Sequence, residues 1–549
     1  MTMFKINKAV FFLILILSLA TCLRLWKLDS IPPSLYSDEA NLGYNAYSIL
    51  KTFRDEHGIF LPVSLRSFGD WKPPLPAYLM IPPIYLFGLN EFSVRLPSAI
   101  LGVGSVFLIY RLVNLIFLSA SFRGKAALLS AFFLALSPWH LLQSRASMLV
   151  MVALYFLQLG VYFFLKGKTD RRNFYWGSFF LTVTFYAYYG MRLISPLLFL
   201  ILIIYNYREF FRKKIWLKSF LIVLLMITPL ILGFIKNPDV VFGRAKTVSV
   251  FYDRGTDLRL WELTTQDGIS ADPLITRFFH NRPYQFGKKI LSNFFTHFHG
   301  KFLFLEGDKS QPFETPGMGI LYLFDGIFIP AGLFISLKLR SSFGKFFVIW
   351  LIISIFPAAL TFMVPSSNRT FNAVIPLSVY FSLGFYYFSR KIHSRILAAL
   401  FLTVVYFSAF TYFMKIYFIS IPENYSHIWN YGWKQATGFV QKQAADYDNI
   451  IVSDVGMPYI YFLFYNKYDP ARFQKEAVRS YAADQFGFEH VLGFNKYLFI
   501  NEMDWRETKN SLMDNTLYLV HKDRMGEEVG SAEVIKYQSG LPAVNIFRN

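Results

Sequence analysis

The run LISPLLFLILIIYNY (Leu193–Tyr207), followed at once by REFFRKKIWLK (Arg208–Lys218), decides the class of this chain. The first segment carries no charge. The second holds five cations, Arg208, Arg212, Lys213, Lys214 and Lys218, before the next apolar run at Phe220–Ile235. Uncharged runs near this length are candidates to cross a bilayer. Lys and Arg gathered between two of them mark a cytoplasmic loop.

The pattern repeats outward in both directions. Apolar runs occupy Ala9–Leu23, Pro97–Leu118, Ala126–Leu141, Met148–Leu165 and Phe174–Tyr189 on one side, and Met318–Leu337, Phe346–Phe362, Phe371–Phe388 and Ile396–Phe418 on the other. Together these predict about eleven transmembrane helices. Of 549 residues, 54% are hydrophobic and only 16% charged, where a soluble domain has about 25%. Lipid must therefore solvate much of the surface. Lys5 and Lys8 before Ala9–Leu23 resemble a signal sequence. No small-residue cleavage site precedes Arg24, so an uncleaved anchor is expected. Cys22, the single cysteine, excludes an intrachain disulfide and any cysteine-based metal cluster.

Charge sets the orientation. Alternate loops carry Arg123 and Lys125; Lys166, Lys168, Arg171 and Arg172; Lys338, Arg340 and Lys345; and Arg390, Lys391 and Arg395. The short loops opposite carry only Arg145, Arg192 and Arg369. The N-terminus is then cytoplasmic, and the net charge of +20 reflects inner loops rather than nucleic-acid binding. Pro76–Leu89 is apolar too, but a span there would invert the distribution. It is short and contains Pro76, Pro82 and Pro83, so it is placed flat in the outer interface.

A multi-pass plasma-membrane protein follows, with residues 1–418 forming the transmembrane module. Its first outer loop is Leu25–Leu96 and its long outer loop Lys236–Pro316. Residues 419–549 are expected to form a small extracytoplasmic α/β domain. There Asn449–Val455 and Thr516–Val520 read as strands, and Trp433–Ala445 and Tyr459–Tyr465 as helices.

The first outer loop is the richest in chemistry. Ser37 is a good helix N-cap, and Leu42, Ala46, Ile49 and Phe53 recur at helical spacing, predicting an amphipathic helix at the membrane surface. Asp38 and Glu39 fall in its first turn, where acidic residues also serve the helix dipole. Downstream stand Gly69-Asp-Trp-Lys-Pro-Pro-Leu-Pro-Ala-Tyr78 and Asn90-Glu-Phe-Ser-Val-Arg-Leu-Pro-Ser98. Beyond the loop come Ser137-Pro-Trp-His-Leu-Leu-Gln-Ser-Arg145, Tyr188-Tyr-Gly-Met-Arg192, Glu306-Gly-Asp308 and Thr315-Pro-Gly-Met-Gly319.

This ordered set resembles the C-type (GT-C) membrane glycosyltransferases of the protein O-mannosyltransferase and aminoarabinose transferase superfamily. The resemblance implies an inverting glycosyltransferase that takes a sugar from a polyprenyl phosphate, undecaprenyl or dolichyl. The acceptor would be a protein, lipid or glycan outside the cytoplasm. It implies Asp38 as the general base, Glu39 as an orienting carboxylate, and Lys72 and Arg95 as contacts to the donor phosphate. Arg145, Tyr188, Arg192, Asp308 and Arg369 are candidates for the substrate cavity. The arginines among them either face such a cavity or snorkel to the interface. No cofactor is implied. A divalent metal on His297, His299, Glu306 and Asp308 is the less favoured alternative, since His297 and His299 share a face only on a strand. Two other functions fit the spans: a transporter or flippase of lipid-linked sugar, and an oligosaccharide ligase or polymerase. The first gives Asp38-Glu39 no role, and no related halves are visible in the sequence.

Overall fold

The structure, a computed structural model, describes residues 8–549 except 118–121, 213, 268–273, 275–277, 311, 314, 339–341, 392–393, 486 and 527–532. Lys5, Lys213 and Arg340, counted above among the flanking cations, lie outside the described residues.

All eleven apolar runs are helical over most of their length. Among the described residues, six helices are long and apolar enough to cross a membrane: Lys8–Leu25, Glu91–Ile116, Leu149–Lys166, Ile215–Lys236, Phe371–Lys391 and Thr403–Asn424. A seventh results if Arg123–Leu136 and Pro138–Arg145, bent by 58° at Ser137, form one broken span. The other four expected spans are shorter apolar helices or truncated ones. Phe174–Tyr189 leaves the α-helix after Val183 for a 3-10 turn, where Thr184 Oγ1 donates back to Leu181 O at 2.6 Å. Met318–Leu337 becomes helical only at Asp325, because Pro316, Gly317 and Gly319 precede it.

The chain divides into two compact units. The first comprises Met1–Leu23, Leu101–Gln143 and Leu149–Thr411. Its helices sort by how much they bury: the apolar window of Ile215–Lys236 is only 17% buried, that of Phe371–Lys391 72%. The former presents Leu221, Leu225, Leu232 and Ile235 outward, and the latter is core. Glycines allow the closest helix contacts, as small residues do between helices in lipid. A Cβ on Gly332 would strike the Tyr380 carbonyl, and one on Gly384 the Phe328 carbonyl. Ser130 and Ser382 hydroxyls meet at 2.8 Å between two further buried faces.

The second unit comprises Arg24–Ile100, Ser144–Met148 and Tyr412–Asn549. This division differs from a cut at residue 418: the first outer loop folds with the tail. The tail carries a seven-stranded sheet. Its strands are β3 (Asn449–Ser453), β4 (Val478–Ser480), β5 (His490–Phe494), β6 (Tyr497–Ile500), β7 (Thr516–His521), β8 (Glu533–Lys536) and β9 (Pro542–Arg548), in the order β4-β5-β6-β3-β7-β9-β8. Central β3 runs parallel to β6 and β7, and the remaining pairs are antiparallel. Every residue of β7 is buried, as expected of a strand covered on both faces. One core groups Ile451, Tyr518 and Val520 with Met503, Trp505 and Met525. The helices Tyr431–Gln443 and Tyr459–Tyr465 lie close to their expected positions.

The Ser37–Thr52 helix joins this domain through Gly43, whose Cβ would lie 2.6 Å from Val94 and 2.9 Å from Phe464. Tyr461 OH donates to Leu35 O at 3.2 Å, Tyr44 OH to Tyr468 O at 3.1 Å, and Lys434 pairs with Glu91 at 2.6 Å. Pro76–Leu89 contains one helix, Leu75–Phe87, of 13 residues. At about 1.5 Å per residue it is roughly 20 Å long, short of a bilayer core of about 30 Å.

Candidate active site

The helix that begins at Ser37 places its two acids in different environments. Tyr36 is extended (φ −69°, ψ 155°) and donates its N–H to Glu39 Oε2 at 3.1 Å, half of a capping box. Glu39 therefore curls back under the helix start. Its side chain is 1% exposed. Oε1 also accepts Ser147 N–H at 2.8 Å and Arg95 Nε–H at 3.1 Å, while Oε2 accepts Arg95 Nη2 at 3.4 Å.

Arg95 is fully buried, and its remaining donors go to main-chain carbonyls. Nη1 reaches Leu28 O at 3.3 Å and Pro32 O at 2.8 Å; Nη2 reaches Ser34 O at 2.6 Å. The indole of Trp429 lies 6.0 Å from the guanidinium. The structure thus gives Arg95 another place than the expected phosphate contact. It ties the 28–34 turn to the carboxylate of Glu39, and the guanidinium is spent on that work.

One residue before Glu39, about 100° around the helix, Asp38 faces the other way. Its side chain is 45% exposed, and Oδ1 accepts Lys72 Nζ at 2.5 Å. Lys72 itself is only 6% exposed. Its ammonium also donates to Ser67 Oγ at 2.8 Å and sits 4.8 Å from the Phe68 ring centroid. The hairpin of β1 (Leu65–Ser67) and β2 (Asp70–Lys72) makes this possible. Phe68 (φ 53°) and Gly69 (φ 85°) form its two-residue turn, both left-handed as a type I′ turn requires. Ser67 and Lys72 then share a face as diagonal neighbours. Pro73 and Pro74 fix the exit from β2. Sequence reasoning missed Ser67, which belongs to no motif; only the pairing register brings it to the ammonium.

Arg145 belongs to the same unit and is buried. Nη2 donates to Ile31 O at 3.0 Å and Lys27 O at 3.3 Å, and the guanidinium lies over the rings of Tyr417 (5.4 Å) and Phe418 (4.8 Å). It is packed inside the protein rather than extended to an interface.

The other candidates lie in the first unit. Asp308 is buried and accepts Ser367 N–H at 2.6 Å, Ser367 Oγ–H at 2.8 Å and Ser310 N–H at 2.8 Å. His297 accepts Ser366 N–H on Nε2 at 3.1 Å and donates from Nδ1 to Asn293 O at 2.7 Å, a neutral tautomer that burial favours by lowering its pKa. Trp139 Nε1 donates to Ser367 O at 3.0 Å. These three side chains brace the loop that carries Arg369. Arg369 donates from Nη1 to Met363 O at 2.7 Å and Thr361 Oγ1 at 3.1 Å. Burial lowers its pKa, Tyr188 opposes that shift, and nearby Arg244 adds to it. Tyr188, Arg369 and Asp308 are therefore electrostatic neighbours. Arg192 has different partners, donating to Val240 O and Val241 O at 3.1 and 3.0 Å. Glu306 pairs with Lys309 at 2.9 Å and Lys301 at 3.6 Å. Among the described residues, no group of three or more His, Cys, Asp or Glu side chains is arranged to hold a metal ion.

The dolichyl-phosphate-mannose-protein mannosyltransferase family matches residues 71–232. Among solved structures, ArnT from Cupriavidus metallidurans bound to undecaprenyl phosphate superposes with a TM-score of 0.56 over 98% of both chains, at 12% identity. The chain shares the fold of that structure. Two Bacillus subtilis (strain 168) proteins with mannosyltransferase in their names are also similar. YycA is 35% identical over 89 residues, and YkcB 26% identical over 144. These stretches make up 16% and 26% of this chain but only 12% and 18% of the relatives. The segment that the mannosyltransferase family matches opens at Trp71, beside Lys72, and includes Arg95, Arg145, Tyr188 and Arg192. Asp38 and Glu39 precede it.

Proposed function

We propose that this chain is an inverting glycosyltransferase that moves a sugar from a polyprenyl phosphate to an acceptor hydroxyl on the outer side of the membrane. Asp38 is the general base. The acceptor oxygen attacks the anomeric carbon, its proton passes to Asp38, and the bond from that carbon to the phosphate oxygen breaks. The polyprenyl phosphate leaves carrying the negative charge, which Lys72 holds. The observation that carries this reading is the contact of a half-exposed Asp38 carboxylate with the largely buried Lys72 ammonium. A phosphate arriving at Lys72 takes over part of the ammonium's bonding and leaves Asp38 oriented toward the acceptor.

Glu39 and Arg95 are positioning residues in this scheme, because neither has bonding capacity left for substrate. Arg145 serves the 27–31 turn in the same way. Tyr188, Arg192, Asp308 and Arg369 stay candidates for a substrate cavity of the first unit. The undecaprenyl phosphate bound to ArnT supports a carrier of that class.

Cells lacking the protein should accumulate a polyprenyl-phosphate sugar, detected by mass spectrometry of the lipid extract. The wild-type chain restores its consumption, and Asp38→Asn, expressed and inserted equally, restores less than about 1% of it. Normal consumption by Asp38→Asn would remove Asp38 as the base.

A further inference from the structure

We propose that the C-terminal sheet domain is the template that positions Lys72, acting through an Arg66–Glu489 clamp on the β1–β2 hairpin. The proposal rests on the assignment of Lys72 to the donor phosphate. A hairpin of three residues per strand does not hold its own geometry in water, whereas a catalytic ammonium must be held to within about 0.5 Å. The order has to come from outside the hairpin.

Four contacts supply it. Arg66, in β1, donates from Nε to Glu489 Oε2 at 3.0 Å and from Nη2 to Oε1 at 2.5 Å, a bidentate fork on one carboxylate. Glu489 N–H donates to Phe68 O in the turn at 3.3 Å. A Cβ on Gly69 would stand 3.0 Å from Gly487 O and 3.2 Å from Glu489 N, so the two backbones touch. The Arg66 guanidinium lies 4.4 Å from the Tyr481 ring and 6.0 Å from that of Trp71. An exposed ion pair holds little, but these side chains are only 29% and 17% exposed, and the fork fixes direction as well as distance.

The clamp is in turn fixed to the sheet. Next to Glu489, His490 opens β5 and places Nδ1 2.6 Å from Asp454 Oδ2, the residue after central β3. Its Nε2 lies 3.2 Å from Asp484 Oδ2, and Phe488 N–H donates to Asp484 Oδ1 at 2.9 Å. Connection therefore runs from β3 through His490 and Glu489 to Arg66 and Phe68. From there two residues of β2 lead to Lys72, whose second partner, Ser67, is adjacent to Arg66. The residues acting at a distance are Arg66 and Glu489; neither touches the proposed donor.

The test uses the full-length protein in nanodiscs with undecaprenyl phosphate as the probe. Glu489→Gln should weaken probe binding about tenfold, by about 1.4 kcal/mol, and speed hydrogen exchange of residues 65–72, with the unfolding midpoint of the C-terminal domain unchanged. The charge swap Arg66→Glu with Glu489→Arg should recover most of the affinity that either single reversal loses. Lys72→Ala is the control. If Lys72→Ala leaves binding unchanged, the phosphate assignment fails and the clamp fails with it. If Lys72→Ala weakens binding while Glu489→Gln and Arg66→Gln do not, the clamp alone is refuted. Should Glu489→Gln fold poorly, Arg66→Gln with the hydrogen-exchange readout decides: unchanged exchange in 65–72 refutes the template.

Discussion

Glu39→Gln should destabilise the protein far more than Asp38→Asn, although the two acids are adjacent. In Glu39 each carboxylate oxygen faces two donors: Ser147 N–H and Arg95 Nε–H on Oε1, Tyr36 N–H and Arg95 Nη2 on Oε2. Either orientation of a glutamine amide turns an NH2 toward two donors. The Arg95 charge, fully buried, is left without its counter-charge. Breaking a buried pair by removing one partner costs about 3–5 kcal/mol, a large part of a total stability of about 5–15 kcal/mol. Asp38→Asn removes one partner of a half-exposed pair, and Lys72 keeps Ser67, so about 1–2 kcal/mol is expected. Both variants can be unfolded in detergent with denaturant and followed by tryptophan fluorescence, since Trp429 lies beside Arg95. The double variant Glu39→Gln with Arg95→Met should cost less than the sum of the single changes. A loss below about 1 kcal/mol for Glu39→Gln would refute the view that this carboxylate is structural. Substrate could then claim it.

Three further outcomes follow from the same contacts. Gly332→Ala should cost about 1–3 kcal/mol by driving a methyl into the Tyr380 carbonyl, whereas Gly438→Ala, with nothing within 4 Å, should gain about 0.5–1 kcal/mol; unfolding midpoints measure both. The hydrogen bond to Asp454 raises the His490 pKa above its ordinary value. Its contribution to stability is thus complete below about pH 6.5 and lost as pH rises through the folded-state value, so thermal scans of wild type should decline over that range and those of His490→Gln should not. Reporter fusions after Lys125, Arg172, Lys345 and Arg395 should report cytoplasm and fusions near Lys72 or after Asn549 the outside; a cytoplasmic C-terminus would overturn the orientation.

Patterns that repeat along the chain were legible, and pairings that join distant residues were not. Every apolar run folds as helix because its signal is local, and the prolines of Pro76–Leu89 marked a helix too short to span. Buried β3 and β7 stood out as continuous apolar strings. By contrast β5 carries Gly493 and β4 and β8 have register shifts, so their periodicity is broken. The motifs singled out Asp38, Glu39, Lys72 and Arg95 and the resemblance gave each a role, but not the partners that hold them. Arginine in a phosphate-handling motif suggests a phosphate partner; that Arg95 instead meets Glu39, 56 positions earlier, depends on how the 28–34 turn closes over it. Arg66 and Glu489, 423 positions apart, leave no local trace of each other at all.

The grouping of residues 24–100 with 412–549 in one unit has a consequence for biosynthesis. A ribosome adding about 5–20 residues per second needs about 15–60 s to make the stretch between these two parts. During that interval the loop bearing Asp38 and Lys72 has reached the membrane without the strands that shape it. Completion of the proposed site is then an interlock, closed only when the chain through β9 has been made. Chains arrested before residue 412 should expose Arg66 and Lys72 to added protease, while finished chains protect them.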